Sequence, residues 1–137
     1  MKTHGHLAQA YERLGRPENA RESLQQAVLI SNQLVAINPH SADFLSLLGT
    51  SHGGLSAFAA QHQEWDTADT SGHAAVEAIG RALEIQPDDV FYRRQLAGCY
   101  STLATIAAGK GRHNEAVEQL EQATADYQRL FDDGTDD

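Results

Sequence analysis

The sequence predicts an all-α fold: a helix-turn-helix repeat stack of three antiparallel helix hairpins, about six helices in all. Three observations predict it. The chain repeats itself at a spacing of forty-eight residues, which relates Leu7, Leu55 and Leu103, Leu48 and Leu96, and Pro39 and Pro87. The strongest copy lies two steps apart. Gly15-Arg16, Ala20, Glu22, Leu24, Gln26, Ala27 and Leu34 return as Gly111-Arg112, Ala116, Glu118, Leu120, Gln122, Ala123 and Leu130. Ala, Leu, Gln and Glu dominate the 137 residues and only 3 prolines interrupt them, which favours helix. A regular period of this length marks stacked supersecondary units, each burying its apolar face against its neighbours.

The elements follow from local signals. A first helix is expected over 2–14, stopped by Gly15. Pro17 suits the first turn of the second helix, which carries Ala20, Leu24, Ala27, Ile30, Leu34 and Val35 and ends before Asn38-Pro39. Ser41 can cap the third, with Phe44, Leu48, Leu55 and Phe58 among its apolar positions. The stretch 62–73, HQEWDTADTSGH, is polar without helical period and reads as a loop. Thr70 or Ser71 would then cap the fourth helix, which carries Ala75, Ile79, Ala82, Leu83 and Ile85 and stops before Pro87.

Asp88 or Asp89 caps the fifth helix, with Tyr92, Leu96, Tyr100, Leu103 and Ala107 on one face. Gly109 and Gly111 close it. His113 or Asn114 opens the sixth, which holds Ala116, Leu120, Ala123, Leu130 and Phe131. The expected domain covers 1–131, with hairpins at about 1–38, 41–86 and 89–131, and 132–137 as an acidic disordered tail. The first helix is shorter than the third and fifth, as in a piece of a longer parent or a short N-terminal cap. The pairs Ala20/Ala27, Ala75/Ala82 and Ala116/Ala123 each span about two turns, so each pair shares a face where two helices can approach closely.

Charge and composition exclude several functions. A net charge of −9 argues against nucleic acid, whose phosphates need a basic surface. From His113 onward, only Arg129 opposes eight acidic residues, the pattern of a solvated face and tail or of a lure for a basic partner. No apolar run is long enough to span a membrane, and the N-terminus lacks a signal-peptide core. The single Cys99 can form no internal disulfide, compatible with a reducing, cytoplasmic setting.

The repeated residues resemble the tetratricopeptide repeat, a helix–turn–helix unit with a Leu-Gly-like pair, a Tyr, a turn Gly, then Ala, a large apolar residue, Ala and Pro. The first unit reads Leu7-Ala8, Tyr11, Gly15, Ala20, Leu24, Ala27, with Pro39 late. The second reads Leu55-Ser56, Ala59, Gln63, Ala75, Ile79, Ala82, Pro87; its turn glycine is missing and about seven extra residues are expected in its loop. The third reads Leu103-Ala104, Ala107, Gly111, Ala116, Leu120, Ala123. The long helices and the run from Leu96 to Ala104 are similar to the extended arrays fused to bacterial serine/threonine kinases. No kinase motif occurs in this chain, so any catalytic domain would lie outside it.

The resemblance implies an α-solenoid and a non-catalytic protein-interaction module, with a peptide or partner protein on the concave face formed by the first helix of each hairpin. The period places that stripe at Gln9, Arg13, Thr50, Gly53, Arg94, Ser101 and Thr105, flanked by Gly5, Ser46, Ala57 and Gly98. It is small, mildly polar and mildly basic. The glycines either admit a peptide backbone or merely allow tight stacking. A basic clamp for a C-terminal carboxylate is not evident. Trp65, in the polar stretch, is either an interface anchor or a cover for a helix end. The alternative function is a structural spacer or self-association module, with a homodimer through the shortened N-terminal edge.

No catalytic, cofactor or metal motif emerges. The 7 histidines include no HxxxH or HExxH pair, and Cys99 has no CxxC partner. Gly109-Lys110-Gly111 is a helix stop without the strand that a phosphate loop needs.

Overall fold

A computed structural model describes the backbone over residues 17–135 and side-chain surroundings over 19–129. The helix expected over 2–14, with Gln9 and Arg13, lies outside the described residues. Within them are five helices and no strand: α1 (Pro17–Ile37), α2 (Ala42–Gln61), α3 (Trp65–Ile85), α4 (Val90–Gly109) and α5 (His113–Thr135). Two starts are capped as their sequences dictate. Ser41 Oγ accepts from the Phe44 amide at 3.2 Å, and Asp89 Oδ1 accepts from the Tyr92 amide at 2.9 Å.

The polar stretch 62–73 departs from its reading as a loop. Only 62–64 is a connection, and Trp65 already begins α3. Thr70 caps nothing: its hydroxyl donates to the Asp66 carbonyl one turn back, at 3.0 Å. Ser71 is buried within the helix. The inward face of this first part of α3 is small rather than apolar, with Ala68 fully buried and Ser71 and Gly72 beside it. A period written in size escapes a hydrophobicity reading. Glu64, at the N-cap position, makes no side-chain cap bond. Its carboxylate is taken by Arg21 of α1, Nη1 to Oε2 at 3.0 Å, and this guanidinium holds the Glu64 carboxyl below its usual range.

The second unit therefore has no extra loop residues, and its turn matches that of the third. The Glu64 amide donates to the Ala59 carbonyl at 2.9 Å, and the Arg112 amide to the Ala107 carbonyl at 2.8 Å. Gly111 takes the left-handed conformation at φ 78°, and Gln63 takes it at φ 58° without being glycine. Of the stretch expected as a tail, 132–135 continues α5, and 136–137 lie outside the described residues.

Small residues set the packing. A Cβ on Gly49 of α2 would sit 2.6 Å from Ile79 Cγ1 of α3. Further along α2, Ser56 Oγ donates to the Ala68 carbonyl near the start of α3 at 2.7 Å, so the two helices run in opposite directions. Ala20, Ala116 and Ala123 are buried, as their spacing predicts, but in α3 the residue that matches Ala20 and Ala116 is the buried Ala68, and Ala75, also buried, lies mid-helix and matches Ala123. One core cluster joins Ala42, Leu45, Ile79, Ala82 and Tyr92. A second joins Ala59, Ala68, Leu103 and Ile106. Both bind α2, α3 and α4 together, so α3 forms the floor beneath α2 and α4. Leu120 is the exception: its copy Leu24 packs beside Ala20 and Phe58, whereas Leu120 is 52% exposed.

Candidate partner-binding cleft

Between α2 and α4, over α3, lies a cleft of about 310 Å³. Gly49, Thr50, Gly53 and Ser56 line one wall, Gln95, Gly98, Cys99 and Thr102 the other, and Gly72, Ala75 and Ile79 the floor. Among the described residues no charged side chain lines it, in a chain of net charge −9.

The walls are bonded at one end and open at the other. Tyr92 Oη donates to Asp43 Oδ1 at 2.8 Å. Ser46 Oγ donates to Gln95 Oε1 at 2.8 Å, and Gln95 Nε2 donates to Thr50 Oγ1 at 2.7 Å. Beyond this ladder the walls part at Gly53 and Gly98, where an added Cβ would meet nothing within 4 Å. The floor glycine is the opposite case. A Cβ on Gly72 would lie 2.7 Å from Leu103 Cδ2, so close packing explains that residue.

Burial pushes the Cys99 thiol up to about 11, so it stays a protonated, weakly reactive wall group at neutral pH. Burial with the Asp43 bond likewise raises the Tyr92 phenol to about 12.

Of the expected stripe, Thr50 and Gly53 line the cleft, and so does Gly98. Arg94, Ser101 and Thr105 do not. Arg94 is exposed, and the hydroxyls of Ser101 and Thr105 bond back to the carbonyls of Ala97 and Ser101, at 3.2 and 3.3 Å. On α4 the cleft face is turned from the expected stripe by roughly a quarter turn. The reason is geometric. A forty-eight-residue period superimposes like edges of successive helices, but a cleft between two helices uses opposite edges. Gln95, Cys99 and Thr102 were missed for that reason. Their one visible signal was spacing, since 95, 98, 99 and 102 share a helix face. The mildly basic character expected of the stripe rested on Arg94 and on residues outside the described part, and the cleft itself is uncharged.

Trp65 is not in a loop. It opens α3 half-buried, packed against Ala59, Ala68, Leu103 and Ile106. Its ring covers the end of α4 so closely that a Cβ on Gly109 would lie 2.6 Å from it. The half-buried ring thus lies over a helix end.

Two tetratricopeptide-repeat family models match the sequence, one over residues 2–34 and one over 96–136. The chain carries tetratricopeptide repeats. The segment between the matches holds the turn with Gln63 in place of glycine and the polar start of α3. Repeats of this family are protein-interaction modules, which indicates a protein partner. Comparison with curated proteins gives no match. Among solved structures, the chain is similar to a crystal structure of MamA at 21% identity and TM-score 0.29, covering 93% of this chain and 78% of that one. A second MamA structure gives 20% and 0.28, covering 93% and 73%. A likeness this distant says nothing about function. No helix among the described residues is long and apolar enough to cross a membrane.

Proposed function

We propose that this repeat domain is a non-catalytic scaffold that takes an extended segment of a partner protein in the cleft between α2 and α4. We place it in the cytoplasm, within a larger bacterial signalling protein. The observation that carries the reading is the pair Gly53 and Gly98. Glycine inside a helix costs about 1 kcal/mol against alanine. Among the described residues nothing occupies the place of a Cβ at either glycine, and both open onto the cleft. Without a Cβ on either wall, a partner backbone can come close to the Thr102 hydroxyl, which donates to the Gly98 carbonyl at 3.1 Å and can still accept. Specificity would come from shape and hydrogen bonds, since the walls offer no charge.

The test compares affinity capture by the wild type with capture by Gly98→Arg, which fills the cleft, and by Thr105→Glu, which lies outside it. Helicity is matched first by circular dichroism. Partners lost with Gly98→Arg and kept with Thr105→Glu support the cleft. Equal capture by all three proteins, or loss with Thr105→Glu alone, contradicts it.

A spacer or self-association role is the second reading, and one observation favours it. Val117 and Leu120 on α5 are 53% and 52% exposed and line an apolar depression with Thr124 and Ala125. Two copies joined through that face would show a concentration-dependent mass in light scattering, abolished by Leu120→Glu. A constant monomer mass removes this reading.

A further inference from the structure

The start of α5 comes close enough to α3 to bring together a cluster that no sequence spacing reveals. Asp69 and His73 stand one turn apart on α3, and Glu115 stands in the first turn of α5. One donor atom from each lies within 4.8 Å of the other two. His73 Nε2 and Asp69 Oδ1 are 3.4 Å apart. A tetrahedral ion with bonds of about 2.1 Å holds its ligands about 3.4 Å from one another, so this pair already has the separation of two donors on one metal.

We propose that Asp69, His73 and Glu115 bind a divalent transition ion of the zinc type, with water completing its coordination. An imidazole with two carboxylates suits such an ion better than the all-oxygen shell of calcium or magnesium. The surroundings support the geometry. Asp69 divides its oxygens: Oδ1 faces His73, while Oδ2 lies 3.7 Å from the Lys110 ammonium. That ammonium is itself held by Asp66 at 3.1 Å. Arg112 lies 3.5 Å from Glu115 Oε2. Each carboxylate thus has a cation within ion-pair distance of one of its oxygens. With His73 neutral, the three acids and two cations sum to one negative charge, so a dication is not repelled. His73 is half exposed, which leaves the ion a way in.

The consequence is mechanical. α3 belongs to the second repeat and α5 to the third, and α4, a wall of the cleft, lies between them in the chain. An ion shared by α3 and α5 would clamp the two repeats together.

The test is calorimetric titration of the chelator-stripped chain with Zn²⁺, alongside His73→Ala, Glu115→Gln and the control His40→Ala, each checked for helicity. The expected result is one site of about unit stoichiometry. His73→Ala and Glu115→Gln should each weaken it more than tenfold, and His40→Ala should leave it unchanged. Zn²⁺ should also raise the melting temperature of the wild type and not of His73→Ala. Absence of binding at millimolar Zn²⁺, or equal affinity in the wild type and His73→Ala, overturns the proposal. Because Gly98 and Thr102 take no part in it, its failure leaves the cleft reading standing.

Discussion

Gly49 and Gly98 both line the cleft, yet they are glycine for different reasons. At Gly49 the space of a side chain is already taken by Ile79, so the residue is fixed by the packing of α2 on α3. At Gly98, and at Gly53 opposite, the space is empty. The difference separates a glycine that packing requires from glycines that packing does not explain, and the proposed partner would give the latter a reason. It also divides the cleft lengthwise. The bonded end, from Asp43–Tyr92 to Thr50–Gln95, ties α2 to α4, and the open end beyond is where the proposed partner would sit.

The largest effect that could break this comparison is at the filled glycine. Gly49→Val should destabilise the domain by about 3 kcal/mol, read from urea denaturation, because Ile79 is 1% exposed and has little room to yield. A neutral result would mean that the glycines are equivalent after all.

The bonded end is probed next. Tyr92→Phe should cost about 1 kcal/mol by removing one cross-repeat hydrogen bond. It should also remove an alkaline transition. The folded-state phenol is raised to about 12 from an ordinary value near 10, so it holds its proton longer in the folded chain than in the unfolded one. Its stabilisation is complete below pH 10 and lost as the pH rises through 12. Thermal melts across that window should fall for the wild type more steeply than for Tyr92→Phe.

Gln63 sharpens the contrast from the other side, since it is a residue where the backbone wants glycine. Gln63→Gly should stabilise by up to about 1 kcal/mol, because φ 58° is strained for glutamine and free for glycine. Chemical denaturation reads the change. The smallest effect is at the open glycine: Gly98→Ala should raise stability by about 0.5–1 kcal/mol as the helix gains a better former at no steric cost. A loss of stability there would mean that the apparent space is not real.

These same residues show what the sequence could and could not disclose. The caps at Ser41 and Asp89, the stop at Gly111 and the buried alanines were legible because each is a local signal with a local cause. The start of α3 was hidden because its inward face is built from Ala68, Ser71 and Gly72, which mark no hydrophobic period, and because Arg21 draws Glu64 away from capping. The turn at Gln63 was hidden because a non-glycine takes the left-handed conformation there, within a turn closed by the local bonds of the Gln63 and Glu64 amides to the Ala60 and Ala59 carbonyls. Part of the candidate cleft was legible: Thr50, Gly53 and Gly98, three of its eleven lining residues, fall where the period puts them. Gln95, Cys99 and Thr102 were not, since a repeat reports what is alike in each unit and a cleft is made where two units differ in edge. The Asp69–His73–Glu115 cluster lay further from view, its third member arriving from another helix.

The central claim, that the open end of this cleft receives a partner, is tested most directly by placing a photo-crosslinking amino acid at Thr102 in one protein and at Thr105 in another. Irradiation in a native-like lysate, followed by mass spectrometry, reads which position touches a partner. The account predicts discrete crosslinks from Thr102, suppressed by Gly98→Arg, and none from Thr105. Crosslinks from Thr105 with none from Thr102 would contradict it, and the exposed stripe rather than the cleft would be the site.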